Sequence, residues 1–259
     1  MRLYGLVGHP LEHSFSKNYF NEKFEKEQLD CQYLNFDLKD LTELPDLLHT
    51  HPELKGFNVT APYKEIIIPY LDEYDTEINE IKSVNTVLIN EYQKLKGFNT
   101  DIIGFKITIE NLLKYKKTKD YNTLILGTGG ASKAVQWVLK KSGIPFKLVS
   151  RTASRGDITY QQVTQETLEK FNIIINATPV GLYPNVDAAP ALPYEALTSN
   201  HCLIDLNYNP QETLFLRYGK EKGAITCNGL PMLYAQAEAS WRIWNEPLDP
   251  KFSALNTQL

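Results

Sequence analysis

Lys64 closes the stretch Gly56-Phe57-Asn58-Val59-Thr60-Ala61-Pro62-Tyr63-Lys64. The apolar run into Gly-Phe-Asn-Val-Thr reads as a buried strand. Thr60 followed by Pro62 reads as a cap and an early helical proline, so the spacing predicts a helix with Lys64 in its first turn. A cation there opposes the partial positive charge of a helix amino end. Alone, such a lysine is a solvated surface residue; beside an acid it can carry a proton and steady a developing negative charge. The candidate acid is Asp101. If Gln93 to Phe98 runs back along Ser83 to Ile89 in a hairpin symmetric about Glu91 and Tyr92, Asn85 falls opposite Asn99. Asn85-Thr86 and Asn99-Thr100-Asp101 then end at one edge, one strand spacing (~4.8 Å) apart. Asp101 reads equally well as a first-turn acid for the helix running on to about Tyr115. Ser14 and Ser16 face the same choice. Either caps the helix expected from about Lys17 to Leu29, or both hydroxyls with open helix N–H groups receive a carboxylate or phosphate.

A second group of residues suits a dinucleotide. Tyr121 to Leu126 is a short apolar strand, Gly127-Thr128-Gly129-Gly130-Ala131 a tight turn, and a helix follows to about Ser142. Glycines in that context let the backbone approach a pyrophosphate at the helix start. Ser132 stands where the third glycine of the pattern is expected. The next strand, Phe146 to Val149, ends in Ser150-Arg151-Thr152-Ala153-Ser154-Arg155. An NAD site wants an acid there for the ribose 2′-hydroxyl; two arginines among hydroxyls suit a 2′-phosphate, so NADP is favoured.

The elements that must carry these residues alternate between strand and helix along the chain, which is the α/β class. Strands are expected at Arg2–Val7, Asp30–Leu38, Leu54–Val59, Phe171–Asn176, Cys202–Leu206 and Ala224–Cys227, with helices at Leu41–His49, Thr213–Lys222 and Leu230–Trp244. At 259 residues the chain has room for two domains, and 42% hydrophobic with 22% charged residues is an ordinary globular composition. Its 27 basic and 31 acidic residues, net −4 without like-charge blocks, point to neither nucleic acid nor an anionic membrane. Cys31, Cys202 and Cys227 have no metal-ligand spacing and read as buried thiols of a reducing compartment, so no metal is expected. Without a run of ~18 apolar residues or a signal segment, the expected location is cytoplasmic.

The chain resembles the shikimate dehydrogenase family from end to end. The resemblance rests on Gly8-His9-Pro10 with His13-Ser14-Phe15-Ser16, on Asn58-Val59-Thr60 with Pro62 and Lys64, and on Val84-Asn85-Thr86. It continues through Gly97-Phe98-Asn99-Thr100-Asp101 with Gly104, the Gly127 to Ala131 turn, Arg151-Thr152 and Asn176-Ala177-Thr178. Asp205-Leu206-Asn207-Tyr208 before Pro210, and Gly229-Leu230-Pro231-Met232-Leu233 with Gln236-Ala237, complete it. It implies two α/β domains: a substrate-binding and catalytic domain of residues 1–101 and 230–259, and a Rossmann-like, doubly wound NADP-binding domain of residues 102–229. The last helix would return to the substrate domain. The implied reaction interconverts 3-dehydroshikimate and shikimate with NADP, in aromatic amino-acid biosynthesis. Lys64 and Asp101 would be the catalytic pair. Ser14, Ser16 and Tyr208 would hold the substrate carboxylate, and Asn58, Thr60, Asn85 and Gln236 would complete the substrate site. Gly127, Gly129, Gly130, Ala131, Ser150, Arg151, Thr152, Arg155, Thr178 and Gly229 would line the cofactor. The chain departs from the family pattern at Lys17, Phe20, Ser83 and Ser150. Alternatives are a quinate/shikimate enzyme using NAD, and a non-catalytic sensor of NADP or shikimate. Oligomeric state stays open between monomer and homodimer.

Overall fold

The computed structural model describes residues 1–11, 14–114 and 120–245. His13, Tyr115 and residues 246–259, all used in the expectations above, lie outside the described residues. The chain forms two compact units. One holds Met1–Thr100 and the described residues from Ala237 onward, the other Asp101–Gln236.

In the first unit the elements run β1 (Arg2–Gly8), α1 (Phe15–Lys26), β2 (Cys31–Asp37), α2 (Leu44–Thr50), β3 (Leu54–Val59), β4 (Glu73–Tyr74), α3 (Ile78–Ile81), β5 (Thr86–Ile89) and β6 (Leu95–Phe98). The sheet order is β2-β1-β3-β5-β6-β4. β2, β1 and β3 are mutually parallel, β3, β5 and β6 antiparallel. Successive residues of β1 serve opposite faces, as a pleated strand requires. Leu3 and Val7 join a core with Leu44 and Leu47 of α2, while Tyr4 and Leu6 join one with Phe20 and Phe24 of α1. With both faces covered, β1 reads as a nearly unbroken apolar run from Leu3 to Val7.

The second unit continues with α4 (Asp101–Leu113), β7 (Thr123–Leu126), α5 (Gly130–Lys141), β8 (Phe146–Ser150), β9 (Ile158–Thr159), α6 (Gln165–Lys170), β10 (Ile173–Asn176), β11 (Cys202–Asp205), α7 (Leu214–Glu221), β12 (Ile225–Cys227) and α8 (Leu230–Asn245). Its sheet, β12-β11-β10-β7-β8-β9, is parallel throughout. Numbered within the unit this is the doubly wound order, which reverses between β7 and β10, and such sheets bind ligands beyond the strand carboxyl ends at that point. From Ala237 onward α8 packs in the first unit: Trp244 Nε1 donates to Val87 O at 3.0 Å and its ring stacks on Tyr4 with centroids 4.9 Å apart. Gly56 makes room, since a Cβ there would lie 2.3 Å from Trp244 Nε1.

Two expectations need correction. Residues 61–67 form successive turns followed by a short 3₁₀ segment, Ile68–Tyr70, rather than a helix around Lys64. The Lys64 carbonyl is taken by Val84 N at 2.7 Å, and Pro69 has no N–H to offer Glu65, so two consecutive helical hydrogen bonds are lost. Of the three cysteines, only Cys202 is buried; Cys31 and Cys227 are half-buried because β2 and β12 are edge strands. Among the described residues no helix is long and apolar enough to cross a membrane.

Candidate active site and cofactor loop

In the first unit the segment after β3 is fixed from both sides. Tyr63 and Ile67 are buried, and the Tyr63 hydroxyl donates to Leu38 O. Lys64 lies between them, half-buried, its backbone tied to Val84. Thr60 is half-buried, its N–H on Val7 O at 2.9 Å, and its methyl lies where a Cβ on Gly8 would fall, 2.4 Å away.

One residue past Val84, Asn85 begins a buried polar network. The β5–β6 register pairs Thr86 with Phe98 and is centred on Tyr92, so the next step outward sets Asn85 opposite Asn99, the expected pairing. The side chains nevertheless pair differently. Asn85 Oδ1 accepts from Thr100 N at 2.7 Å and its Nδ2 donates to Thr100 Oγ1 at 3.0 Å, whereas Asn99 turns away to donate to Ser83 O at 2.8 Å. The hydroxyls of Thr86, Thr100 and Ser240 of α8 form a closed triangle with edges of 3.2, 2.9 and 3.2 Å. Asn58 Nδ2 donates into it, 2.9 Å from Ser240 Oγ and 3.1 Å from Thr86 Oγ1, and Asn58 Oδ1 accepts from Tyr33 OH at 2.8 Å. Tyr33 OH in turn meets Ser16, so a chain of hydrogen bonds runs from Ser16 to Thr100. Burial pushes the Tyr33 hydroxyl well up, and the Ser16 bond only partly opposes this. Ser14 caps α1, accepting from Lys17 N at 3.3 Å.

In the second unit Asp101 opens α4 and is buried, as is Gln236 of α8. One turn beyond Asp101, Gly104 lets the two helices close: a Cβ there would lie 2.5 Å from Met232 O and 3.3 Å from Gln236 Cβ. The glycine turn sits at the switch point. Gly127 has φ +101°, and a Cβ on it would meet Thr178 Cγ2 at 2.8 Å and Ala177 O at 3.0 Å. Gly129 is the N-cap of α5 without a side-chain cap, Gly130 and Ala131 form its first turn, and a Cβ on Gly129 would have nothing within 4 Å. The N–H groups of a helix start with this room in front of them fit the pyrophosphate of a dinucleotide. Ser132, in the third-glycine position, is fully buried and donates to Gly127 O at 2.7 Å, closing the loop on itself. At the end of β8, Ser150 is buried and its Oγ accepts from Thr152 N at 3.3 Å; Arg151, Thr152 and Arg155 are exposed. Two exposed guanidinium groups there fit a phosphate on the adenosine ribose.

The remaining residues assemble at the same carboxyl edge. Thr178 N and Oγ1 donate to Asn176 Oδ1 at 3.1 and 2.6 Å, and Asn207 Nδ2 donates to Thr178 O at 3.0 Å. Gly229 N donates to Asn207 O at 3.0 Å, and a Cβ on Gly229 would lie 2.2 Å from Leu206 O. Tyr208 is half-buried beside them. Asp205 is fully buried beneath; burial raises its carboxyl to about 6, against hydrogen bonds from Thr213, Asn207 and Asn176 that lower it. Among the described residues no group of three or more His, Cys, Asp and Glu is placed to hold a metal ion.

Residue types alone left Tyr33, Ser240, Asn176, Asn207 and Asp205 without roles. Ser240 had a signal, since it stands one helical turn after Gln236. Tyr33 had none, being one of two aromatics in its strand.

Residues 6–87 match the family model for the shikimate dehydrogenase substrate binding domain. The chain is 39% identical to the shikimate dehydrogenase (NADP(+)) of Methanococcus aeolicus, an alignment covering 94% of this chain and 91% of that one. It is similar to the Thermus thermophilus shikimate 5-dehydrogenase solved in complex with NADP(H) and shikimate, with TM-score 0.82, 34% identity and 100% of both chains covered. A quinate dehydrogenase from Corynebacterium glutamicum in complex with NAD superposes with TM-score 0.84 at 25% identity, covering 99% of this chain and 97% of that one.

Proposed function

The chain belongs to the shikimate dehydrogenase family, and from that membership we propose that it catalyses the reversible NADPH-dependent reduction of 3-dehydroshikimate to shikimate. The reading is carried by near full-length identity to NADP-dependent relatives. It assigns the enzyme to the shikimate pathway. Residues 1–101 and 230–259 would form the substrate domain and residues 102–229 the NADP domain. Free, scattered cysteines and balanced charge support a cytoplasmic enzyme, monomer or homodimer, with a small-molecule substrate and no nucleic-acid or membrane partner.

The cofactor supplies the hydride when bound, held by the Gly127–Ala131 turn, Thr178, Gly229 and the Ser150–Arg155 segment. The chain must supply the rest. Lys64 gives its Nζ proton to the oxygen of the ketone as that oxygen becomes an alkoxide, and takes it back in the oxidation direction; its charge stabilises the oxygen meanwhile. Asp101 orients the ammonium and binds a ring hydroxyl. Within the first unit the Lys64 carbonyl accepts from Val84 N, and the next residue, Asn85, accepts from Thr100 N. Thr60, Asn85 and Gln236 would bind ring hydroxyls, and Ser14, Ser16 and Tyr208 the carboxylate. The Asn58 amide hydrogens are committed to the buried network, so its part in the substrate site is to hold Asn85 and Thr86 in place.

A second reading, quinate oxidation with NAD, is favoured by the fold likeness to the quinate dehydrogenase. Arg151 and Arg155, where NAD wants an acid, oppose it. Following reduced nicotinamide by its absorbance with shikimate or quinate, each against NADP and NAD, decides between them. Turnover is expected with shikimate and NADP. Faster turnover of quinate with NAD establishes the second reading, and no turnover in any mixture removes both.

A further inference from the structure

Asp205 ends β11 with a fully buried carboxylate that the chemistry above does not use. Its oxygens take three neutral donors. Oδ1 accepts from Asn176 Nδ2 and from Asn207 N, both at 3.0 Å, and Oδ2 accepts from Thr213 Oγ1 at 2.6 Å. Each donor belongs to a different segment at the carboxyl edge of the sheet. Asn176 leads the loop of Ala177 and Thr178, Asn207 leads that of Tyr208, and Thr213 caps α7.

The two asparagines carry the effect outward. Asn176 uses its Oδ1 on Thr178 N and Oγ1, so its Nδ2 faces the carboxylate and Val180 O, at 3.0 and 3.2 Å; turning the amide over would disrupt this arrangement at both ends. Asn207 uses its Nδ2 on Thr178 O and Val180 O, at 3.0 and 3.1 Å, and its own carbonyl on Gly229 N. Thr178 is therefore held at its N–H, hydroxyl and carbonyl by two asparagines, and both hang on Asp205. The site calls for an acceptor without hydrogens, because every group around it donates. A carboxylate meets that need at both oxygens.

We propose that Asp205 is a positioning residue that sets Thr178, Gly229 and Tyr208 in their binding geometry, acting through Asn176 and Asn207. The proposal rests on the NADP and shikimate roles proposed for those three residues. Asp205 touches no ligand in this scheme.

The test compares Asp205→Ala with Thr213→Val. Asp205→Ala removes the one oxygen that takes both Asn176 Nδ2 and Asn207 N, an oxygen that an asparagine would keep. Thr213→Val removes the bond to the other carboxylate oxygen and the cap on Leu216 N, and leaves both asparagine links. Binding of NADP and NADPH is read by calorimetry, independently of turnover, with KM and kcat for shikimate measured beside it and thermal midpoints as control. Asp205→Ala is expected to weaken NADP binding about tenfold or more and raise KM for shikimate, with kcat within a few-fold of wild type, the size of effect one displaced hydrogen bond gives. Thr213→Val is expected to melt lower and bind NADP normally. Normal NADP binding by Asp205→Ala overturns the proposal, and so does equal weakening in both variants, which marks general loosening. Should Asp205→Ala fail to fold, Asn207→Ala cuts the link to Thr178 while leaving the carboxylate in place; the same tenfold loss supports the proposal and normal binding overturns it. A wild-type chain that binds no NADP shows instead that the functional reading itself has failed.

Discussion

Lys64 is an ordinary lysine made specific by its neighbours: Tyr63 and Ile67 anchor the turn on the core side, and the Val84 N–H fixes its carbonyl. Replacing it with alanine removes the proposed proton donor without disturbing those anchors. Lys64→Ala is expected to lose roughly 10²–10⁴-fold in kcat, about 3–5 kcal/mol in the barrier, with KM for shikimate little changed. A large rise in KM with kcat intact would make Lys64 a binding residue. Ser240 tests the buried network. Its hydroxyl is shared by Thr86, Thr100 and Asn58, so Ser240→Ala leaves buried donors short of a partner and should cost about 1–3 kcal/mol of stability. Because the same hydroxyls hold Asn85, KM for shikimate should rise while NADP affinity stays level; an unchanged KM would confine Ser240 to stability.

At the level of the element, the glycine turn separates two roles that look alike in sequence. Gly127 is held at φ +101° with Thr178 and Ala177 at the position of any Cβ, so its glycine is structural. Gly129 has φ −81° and open space at its Cβ position, so no steric need of the fold calls for glycine there, and the proposed role left to it is to admit the cofactor. Gly127→Ala should lower the denaturation midpoint by the equivalent of about 1–2 kcal/mol or more. Gly129→Ala should leave that midpoint within the ~0.5 kcal/mol of a neutral substitution and weaken NADP binding about tenfold or more. Undiminished binding by Gly129→Ala would place the pyrophosphate elsewhere. Sequence spacing identified the turn, but the distinction between its glycines depends on β10, fifty residues away, whose loop crosses over Gly127.

For the molecule as a whole, buried and exposed carboxylates pull stability in opposite directions with pH. Burial raises Asp205 from 3.8 to about 6, so the folded chain binds a proton in that window which the unfolded chain does not. The group therefore adds stability as pH falls through 6 toward 4, by roughly 3 kcal/mol at full effect. Asp75, also raised by burial, acts the same way. Asp37, lowered by its His9 hydrogen bond, and Asp72, lowered by Lys94, contribute stability that is lost only as pH falls below the ordinary carboxylate range. Urea midpoints should rise between about pH 7.5 and pH 5 in the wild type, with a smaller rise in Asp205→Asn. Equal rises in both would mean that Asp205 does not titrate there. The sequence by itself determined the alternation of strands and helices, the glycine turn and the arginines after β8, because periodicity and turn chemistry are local; the placing of Asn85 opposite Asn99 was an assumption that the β5–β6 register bears out. Tertiary structure decided the rest. The expected helix around Lys64 gave way to turns because Val84, twenty residues on, takes the carbonyl a helix needs. Asn99 lies opposite Asn85 as expected, yet Asn85 bonds to Thr100, because hairpin register fixes which backbones are opposite, and side-chain geometry fixes which groups meet. Ser240 and Asp205 became visible only once distant segments were brought within 3 Å of them, since hydrogen-bond partners of a buried polar group are chosen by the fold rather than by its neighbours in sequence.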